Sequence, residues 1–196
     1  MIFRFNIIIL LILVFGSNFF SQQTNPNGYN KFYYENGKLS SEGSMKDGKP
    51  DGYWKNYYKN GKIKIAGNRK NFLLDSTWKF YDEKGRISRT VNYLEGKKSG
   101  MTVVYDTLGH KLHSEEYKND LLDGNTKTYY KNGKVKTVTH FNKGLKEGRS
   151  VEFAQDSIIT GISIFKNGVL QSYEKINQRD NENKKQIHYR RACHVL

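Results

Sequence analysis

One cysteine in 196 residues, Cys193, leaves no partner for an internal disulfide. Apolar residues make up only 36% of the chain, many of them within the first 20, so little aliphatic material remains for a deep core. Acidic side chains are scarce, 19 against 33 lysines and arginines, and the formal charge is +14. That balance attracts polyanions in general, whether nucleic acid, anionic lipid or acidic glycan, and does not choose among them. Long apolar runs are also missing. The unbroken stretch Ile7 to Phe15 falls short of the ~20 residues that cross a bilayer.

Aromatics and glycine are plentiful: 14 Tyr, 11 Phe and 18 Gly, with two Pro. Such a mixture favours brief strands and turns over helices, and the aromatic content argues against a disordered chain. Residues 1–22 read as a signal peptide, with Arg4 as the positive end and Ile7 to Phe15 as its apolar centre. Cleavage near Ser21 or Gln22 would give a secreted or periplasmic protein, and an uncleaved leader would give a membrane-anchored one. Residues 23–27 form a short linker.

The remainder is periodic. Gly28, Gly52, Gly100, Gly124 and Gly148 are separated by multiples of 24, and Ser76 fills the missing place. Five residues after each start stands an aromatic: Tyr33, Tyr57, Tyr81, Tyr105, Tyr129 and Phe153. Nine after stands Gly37, Gly61, Gly85, Gly109 or Gly133, with Ser157 in the sixth copy. Eleven after is an aliphatic in five copies, while copy four offers Lys111 with Leu112 slipped by one. A fixed period outranks residue-by-residue assignment. Six copies starting at 28, 52, 76, 100, 124 and 148 span 28–177, and a polar, basic tail follows at 178–196.

Each copy predicts a strand, a tight turn, a second strand and a looser turn, with Tyr53–Tyr58 and Lys62–Arg69 as the strands of the second. Asn-Gly at 36–37, 60–61 and 132–133 is a strong hairpin signal. Lys84 and Leu108 precede the glycine in two copies, and both are poor at positive φ. A three-residue loop that asks positive φ only of the glycine therefore fits better than a two-residue one. It sets the recurrent aromatic opposite the aliphatic at eleven, and a one-residue slip would move every side chain to the other face. The expected fold is all-β: an elongated, twisted, largely single-layer antiparallel meander of about six tandem 24-residue hairpins, some twelve strands.

The stretch Gly52-Tyr53-Trp54-Lys55-Asn56-Tyr57-Tyr58-Lys59-Asn60-Gly61-Lys62, echoed from Gly124 to Lys134, resembles the MORN-repeat variant of bacterial proteins, including YwqK-family antitoxins. The resemblance implies a sheet of hairpins and a binding or scaffolding role. The antitoxin label would imply a toxin as protein partner.

Signs of catalysis are thin. No Ser sits in a Gly-x-Ser-x-Gly turn, and no glycine loop of the phosphate-binding kind precedes a helix. His110 and His113 fall in a turn and a strand, pointing apart, and Cys193 lies in the tail. Asp51, Asp75, Asp123 and Glu147 precede the starts, and an acid before glycine suits a turn, where its side chain can accept nearby backbone amides. Neighbouring copies would hold them ~10 Å apart, too far for a retaining glycosidase pair. No catalytic residue, metal ligand or cofactor is assigned.

Two basic rows stand out. Lys31, Lys55, Lys79 and Lys127 lie two before the aromatic and on its face, and Lys38, Lys62, Arg86 and Lys134 follow the turn glycine. Interleaved with Tyr, they could track a polyanion. They could equally be a solvated face that discourages aggregation. The expectation is an exported, non-enzymatic scaffold that binds a protein or an envelope component. Alternatives are an antitoxin or immunity protein that holds a toxin, and electrostatic adsorption to anionic lipid or glycan. Export argues against nucleic acid.

Overall fold

A computed structural model describes residues 24–177. The signal peptide expected at 1–22 and the tail expected at 178–196, with Cys193, lie outside the described residues. The described chain is strand and turn throughout. Its strands are β1 (Gly28–Tyr33), β2 (Leu39–Lys46), β3 (Lys49–Tyr57), β4 (Ile63–Lys70), β5 (Leu73–Tyr81), β6 (Ile87–Leu94) and β7 (Lys97–Tyr105). They continue as β8 (Lys111–Lys118), β9 (Leu121–Leu122), β10 (Gly124–Tyr129), β11 (Val135–Asn142), β12 (Leu145–Phe153), β13 (Ile159–Lys166) and β14 (Val169–Lys175). All fourteen join one open antiparallel sheet in chain order, with the two-residue β9 attached to β8. β9 and β10 form one rung interrupted at Asp123. Beyond the twelve expected strands, β14 adds the opening strand of a seventh copy.

The first turn of each copy has the three-residue form. Tyr34 N–H donates to Lys38 O at 2.8 Å and Gly37 N–H to Tyr34 O at 2.9 Å, and the same pair of bonds recurs in all six copies. Gly37 has φ +75°, and Ser157 in copy six accepts +72° and closes the same turn. Tyr33, Tyr57, Tyr81, Tyr105, Tyr129 and Phe153 face Leu39, Ile63, Ile87, Lys111, Val135 and Ile159. Copy four therefore does not slip towards Leu112. Turn geometry sets its register, and Lys111 extends its stem to bring Nζ within 6.0 Å of the Tyr129 ring centroid.

The second turn overturns the expectation of a looser connection. It is the tighter of the two, a two-residue loop with positive φ at both residues, as in Asp47 (+50°) and Gly48 (+74°). Those angles define a type I′ turn, whose twist matches that of the strands. Asn71-Phe72 and Asn119-Asp120 adopt it without glycine, at +49°/+70° and +49°/+68°. The unit-start residue is not in a turn either. Gly52, Ser76, Gly100, Gly124 and Gly148 have positive φ inside long rungs, where the register jumps. The sequence is thus read as a bulge, and the opening strand begins three residues earlier than its glycine.

The core is correspondingly thin. Among the described residues the buried apolar side chains are Trp54, Ala66, Trp78 and Val91. Each tryptophan lies over a glycine of the preceding strand, Trp54 on Gly43 and Trp78 on Gly67. The indole N–H donates to the next carbonyl, Ser44 O at 2.8 Å and Asn68 O at 2.9 Å. In later copies this place belongs to Thr102, Thr126 and Ser150, and the glycine gives way to Val91, Glu115 and Thr139.

Candidate functional site

In a strand, residues two apart share a face. Lys31 and Tyr33, Lys55 and Tyr57, Lys79 and Tyr81, and Lys127 and Tyr129 therefore stand on one face, as their spacing indicates. The bulge after the first turn brings the residue fourteen after each start to the same face, where Lys31 pairs with Glu42 and Lys55 with Ala66. Glu42 is the centre of this face in copies one and two. The residue is 9% exposed, and its carboxylate accepts the Tyr57 hydroxyl at 2.5 Å and Lys55 Nζ at 3.3 Å. The Tyr57 hydroxyl, above all, holds the Glu42 carboxyl below the ordinary range, with help from Tyr29 and Lys55. Burial and the carboxylate together push the Tyr57 and Tyr29 phenols up. Tyr29 and Tyr53, each 55% exposed, flank this cluster.

The reach of Tyr57 to Glu42 recurs where Tyr129 Oη lies 3.0 Å from Ser114 Oγ. In both cases the ring leans across the preceding strand, so the row that spacing singles out also ties copy to copy. The adjacent tyrosines do the same from the turn. Tyr58 donates to Tyr81 O and Tyr130 to Phe153 O, both at 2.7 Å, and Tyr34 donates to Tyr57 O. Copies three and four put aspartate at that position, and it caps its own turn instead. Asp82 accepts the Lys84 and Arg86 amides at 2.9 Å and binds the Arg86 guanidinium at 2.6 Å. Those backbone and side-chain contacts keep its carboxyl below the ordinary range. The Asp cap also explains why Lys84 and Leu108 can replace the turn asparagine.

The second basic row is partly structural. Lys62 Nζ donates to Lys84 O at 2.9 Å and Arg86 Nη1 to Thr107 O at 3.1 Å, each bridging to the next turn. Lys38 and Lys134 occupy the same place in their own copies. In the first row, Lys31 and Lys79 are exposed, and Lys127 is half-buried. Two of the acids before the starts cap type I′ turns, Asp51 accepting the Asn71 amide at 3.1 Å and Glu147 the Asn167 amide at 2.7 Å, while Asp75 accepts the Ser76 hydroxyl at 2.7 Å.

A second set of rings escaped the sequence reading. Lys98 Nζ lies 4.7 Å from the Tyr117 centroid and Lys146 Nζ 4.8 Å from that of Phe165, the same positions two copies apart. Burial and the bond to Glu115 push the Tyr117 phenol up to about 12. The recurring large residue seventeen after each start was its only signal. His110 pairs with Asp106 at 3.1 Å and His113 approaches Glu115 at 3.7 Å, so each has its own partner. Among the described residues no three His, Cys, Asp or Glu side chains group as metal ligands.

The face offers aromatic contact, cationic contact and hydroxyl donors, repeated every second strand, ~10 Å. These are means of holding a ligand.

No curated protein matches the chain. Among solved structures, it is similar to a chain of a GtfA/B complex bound to UDP and GlcNAc, at 14% identity and a TM-score of 0.21. That likeness covers 76% of this chain and about a quarter (26%) of the other, and it carries no weight for fold or function. The model of the MORN repeat variant matches residues 26–47, 50–71 and 122–143. Each match opens two residues before a unit start and closes on the first residue of a type I′ turn, which encloses one whole hairpin. The chain is a repeat protein that carries the MORN repeat variant.

Proposed function

We propose that the chain is an exported, non-enzymatic scaffold that holds a protein partner on the tyrosine and lysine face of its sheet. The carrying observation is the patch around Glu42. Two tyrosines more than half exposed, Tyr29 and Tyr53, stand with Lys31 and Lys55 above a buried, hydrogen-bonded carboxylate. Rigid aromatics beside cations, anchored from below, suit the centre of a protein interface. The repeat architecture supports the reading because neighbouring copies extend one surface without any new fold. Export rests on the leader-like residues 1–22.

The test is an affinity capture from an envelope extract, using protein that starts at residue 23 and a salt gradient for elution. One protein retained at high salt, and lost from a Tyr53→Ser/Lys31→Ser variant, is the expected result. Mixed anionic lipid or glycan released at modest salt would overturn it in favour of adsorption by charge.

A further inference from the structure

The type I′ turns form the edge of the sheet opposite the glycine turns, and hairpin tips are normally polar. Here five consecutive turns each carry one exposed aliphatic beside the loop: Leu73, Leu94, Leu121, Leu145 and Val169, at 47–62% exposure. Across the turn from it stands a lysine in four of the five. Lys118 pairs with Leu121 and Lys166 with Val169, and Asn142 faces Leu145 with Lys143 next to it. Two of the acids nearby accept backbone amides, Asp120 from Lys98 N–H at 2.8 Å and Glu147 from Asn167 N–H at 2.7 Å, and Glu95 stands in the turn that follows Leu94. Lys118, Lys143 and Lys166 make no ion pair among the described residues. The strip is therefore apolar, periodic and net basic: residues 118–121, 142–147 and 166–169 hold four lysines and two acids. It is also joined at two places, where Leu73 and Leu145 lie close to the glycines of the next turns, Gly96 and Gly168.

From this strip we infer a second docking surface, for an acidic amphipathic helix laid across the strands at the type I′ edge. Two arguments select the occupant. Successive copies are two strands apart, ~9.6 Å. One heptad of α-helix advances about 10.5 Å. A helix with one leucine per heptad therefore meets Leu121, Leu145 and Val169 in turn, and acids flanking each leucine meet the lysines. Charge complementarity excludes the simplest rival, a second copy, because that would set lysine row against lysine row. The inference is independent of the Tyr29 and Tyr53 patch, which lies on β1 and β3, whereas Leu121, Leu145 and Val169 lie on β9, β12 and β14.

The probe is a three-heptad helical peptide with leucine at one position and glutamate beside it in each heptad. A lysine-for-glutamate version and vesicles of phosphatidylcholine with phosphatidylglycerol serve as comparisons. The acidic peptide should bind saturably to protein from residue 23. The Leu121→Ser/Leu145→Ser/Val169→Ser variant should weaken binding at least tenfold with its circular dichroism unchanged. Lys118→Glu/Lys166→Glu touches no packed side chain and should transfer preference to the basic peptide. Tyr53→Ser/Lys31→Ser should leave the affinity as it is. Absence of peptide binding would overturn the inference, as would binding indifferent to both edge variants. Vesicles captured through the same leucines in preference to the peptide would replace the helix with a membrane.

Discussion

An alanine methyl at Gly67 would stand 2.3 Å from Trp78 Cδ2 and 2.4 Å from Cγ. Carbon atoms in contact need about 3.5–4.0 Å, so the ring would have to retreat by more than ~1 Å. Gly67 lies outside the left-handed region. Alanine therefore suits the backbone, and by itself should stabilise by about 0.4–1 kcal/mol through the unfolded chain. Overpacking opposes this with about 1–3 kcal/mol. Loss of the indole bond to Asn68 O, 2.9 Å long, adds roughly 1 kcal/mol. The net expectation for Gly67→Ala is a loss of about 1–3 kcal/mol. Trp78→Thr recreates the Thr102 arrangement of copy four, and in that background Gly67→Ala should be neutral or mildly stabilising. Urea unfolding of the four proteins followed by circular dichroism closes the cycle. Trp54 and Trp78 are the only two tryptophans, so a red-shifted emission in Gly67→Ala would confirm that an indole has been pushed towards water. A coupling below about 0.5 kcal/mol would refute the clasp, because such a value is the scatter expected of independent sites.

Phe72 holds φ +70° with a bulky side chain, a cost of about 1–2 kcal/mol, partly offset by Lys49 Nζ at 4.7 Å from its ring. Phe72→Gly should therefore raise the urea midpoint, and a lower midpoint would show the ring contact to outweigh the strain. Tyr58→Phe removes the bond to Tyr81 O and should cost about 1 kcal/mol by the same assay; no change would mean that the hydroxyl bonds water equally well. The Glu42 carboxyl is held low in the folded state, so its stabilisation is complete above the ordinary carboxylate range and fades as pH falls through the folded value. Thermal melts from neutral to acid pH should show a shallower acid limb for Glu42→Gln, and parallel limbs would remove Glu42 from the acid response.

The glycine turn was legible because its demand falls on one residue. Only the residue nine after each start needs positive φ, so the other two can vary, and the aromatic–aliphatic pairing confirms the register independently. The type I′ turn hid for the converse reason. Its first residue is Asp47, Asn71, Glu95, Asn119, Lys143 or Asn167, and its second is Phe72 or Asp120 in two copies. Neighbouring strands already oblige the chain to reverse there, and tertiary pairing overrides the poor local preference. Taking the start glycine for a turn followed from the same blindness, since a bulge inside a rung and a turn between rungs both call for glycine after aspartate.

The site divides along a related line. Shared faces follow from period two alone, and so the lysine and tyrosine rows could be aligned correctly from spacing. What each row does depends on pairs more than ten residues apart, where the chemistry lies in combinations. Tyrosine six after the start accompanies the Asn-Gly turn, and aspartate accompanies Lys84 or Leu108. Glycine fifteen after the start accompanies a tryptophan in the following copy, as with Gly43–Trp54 and Gly67–Trp78. Reading down each column of the repeat shows which residues recur; reading which residues change together shows what holds them. By that second reading, Lys62 and Arg86 belong to the scaffold, bound to the next turn. Among the described residues the side chains of Tyr53 and Lys31 make no hydrogen bond or ion pair, and they and the exposed leucines beside the type I′ turns are where the sheet is free to vary its partner without changing its fold.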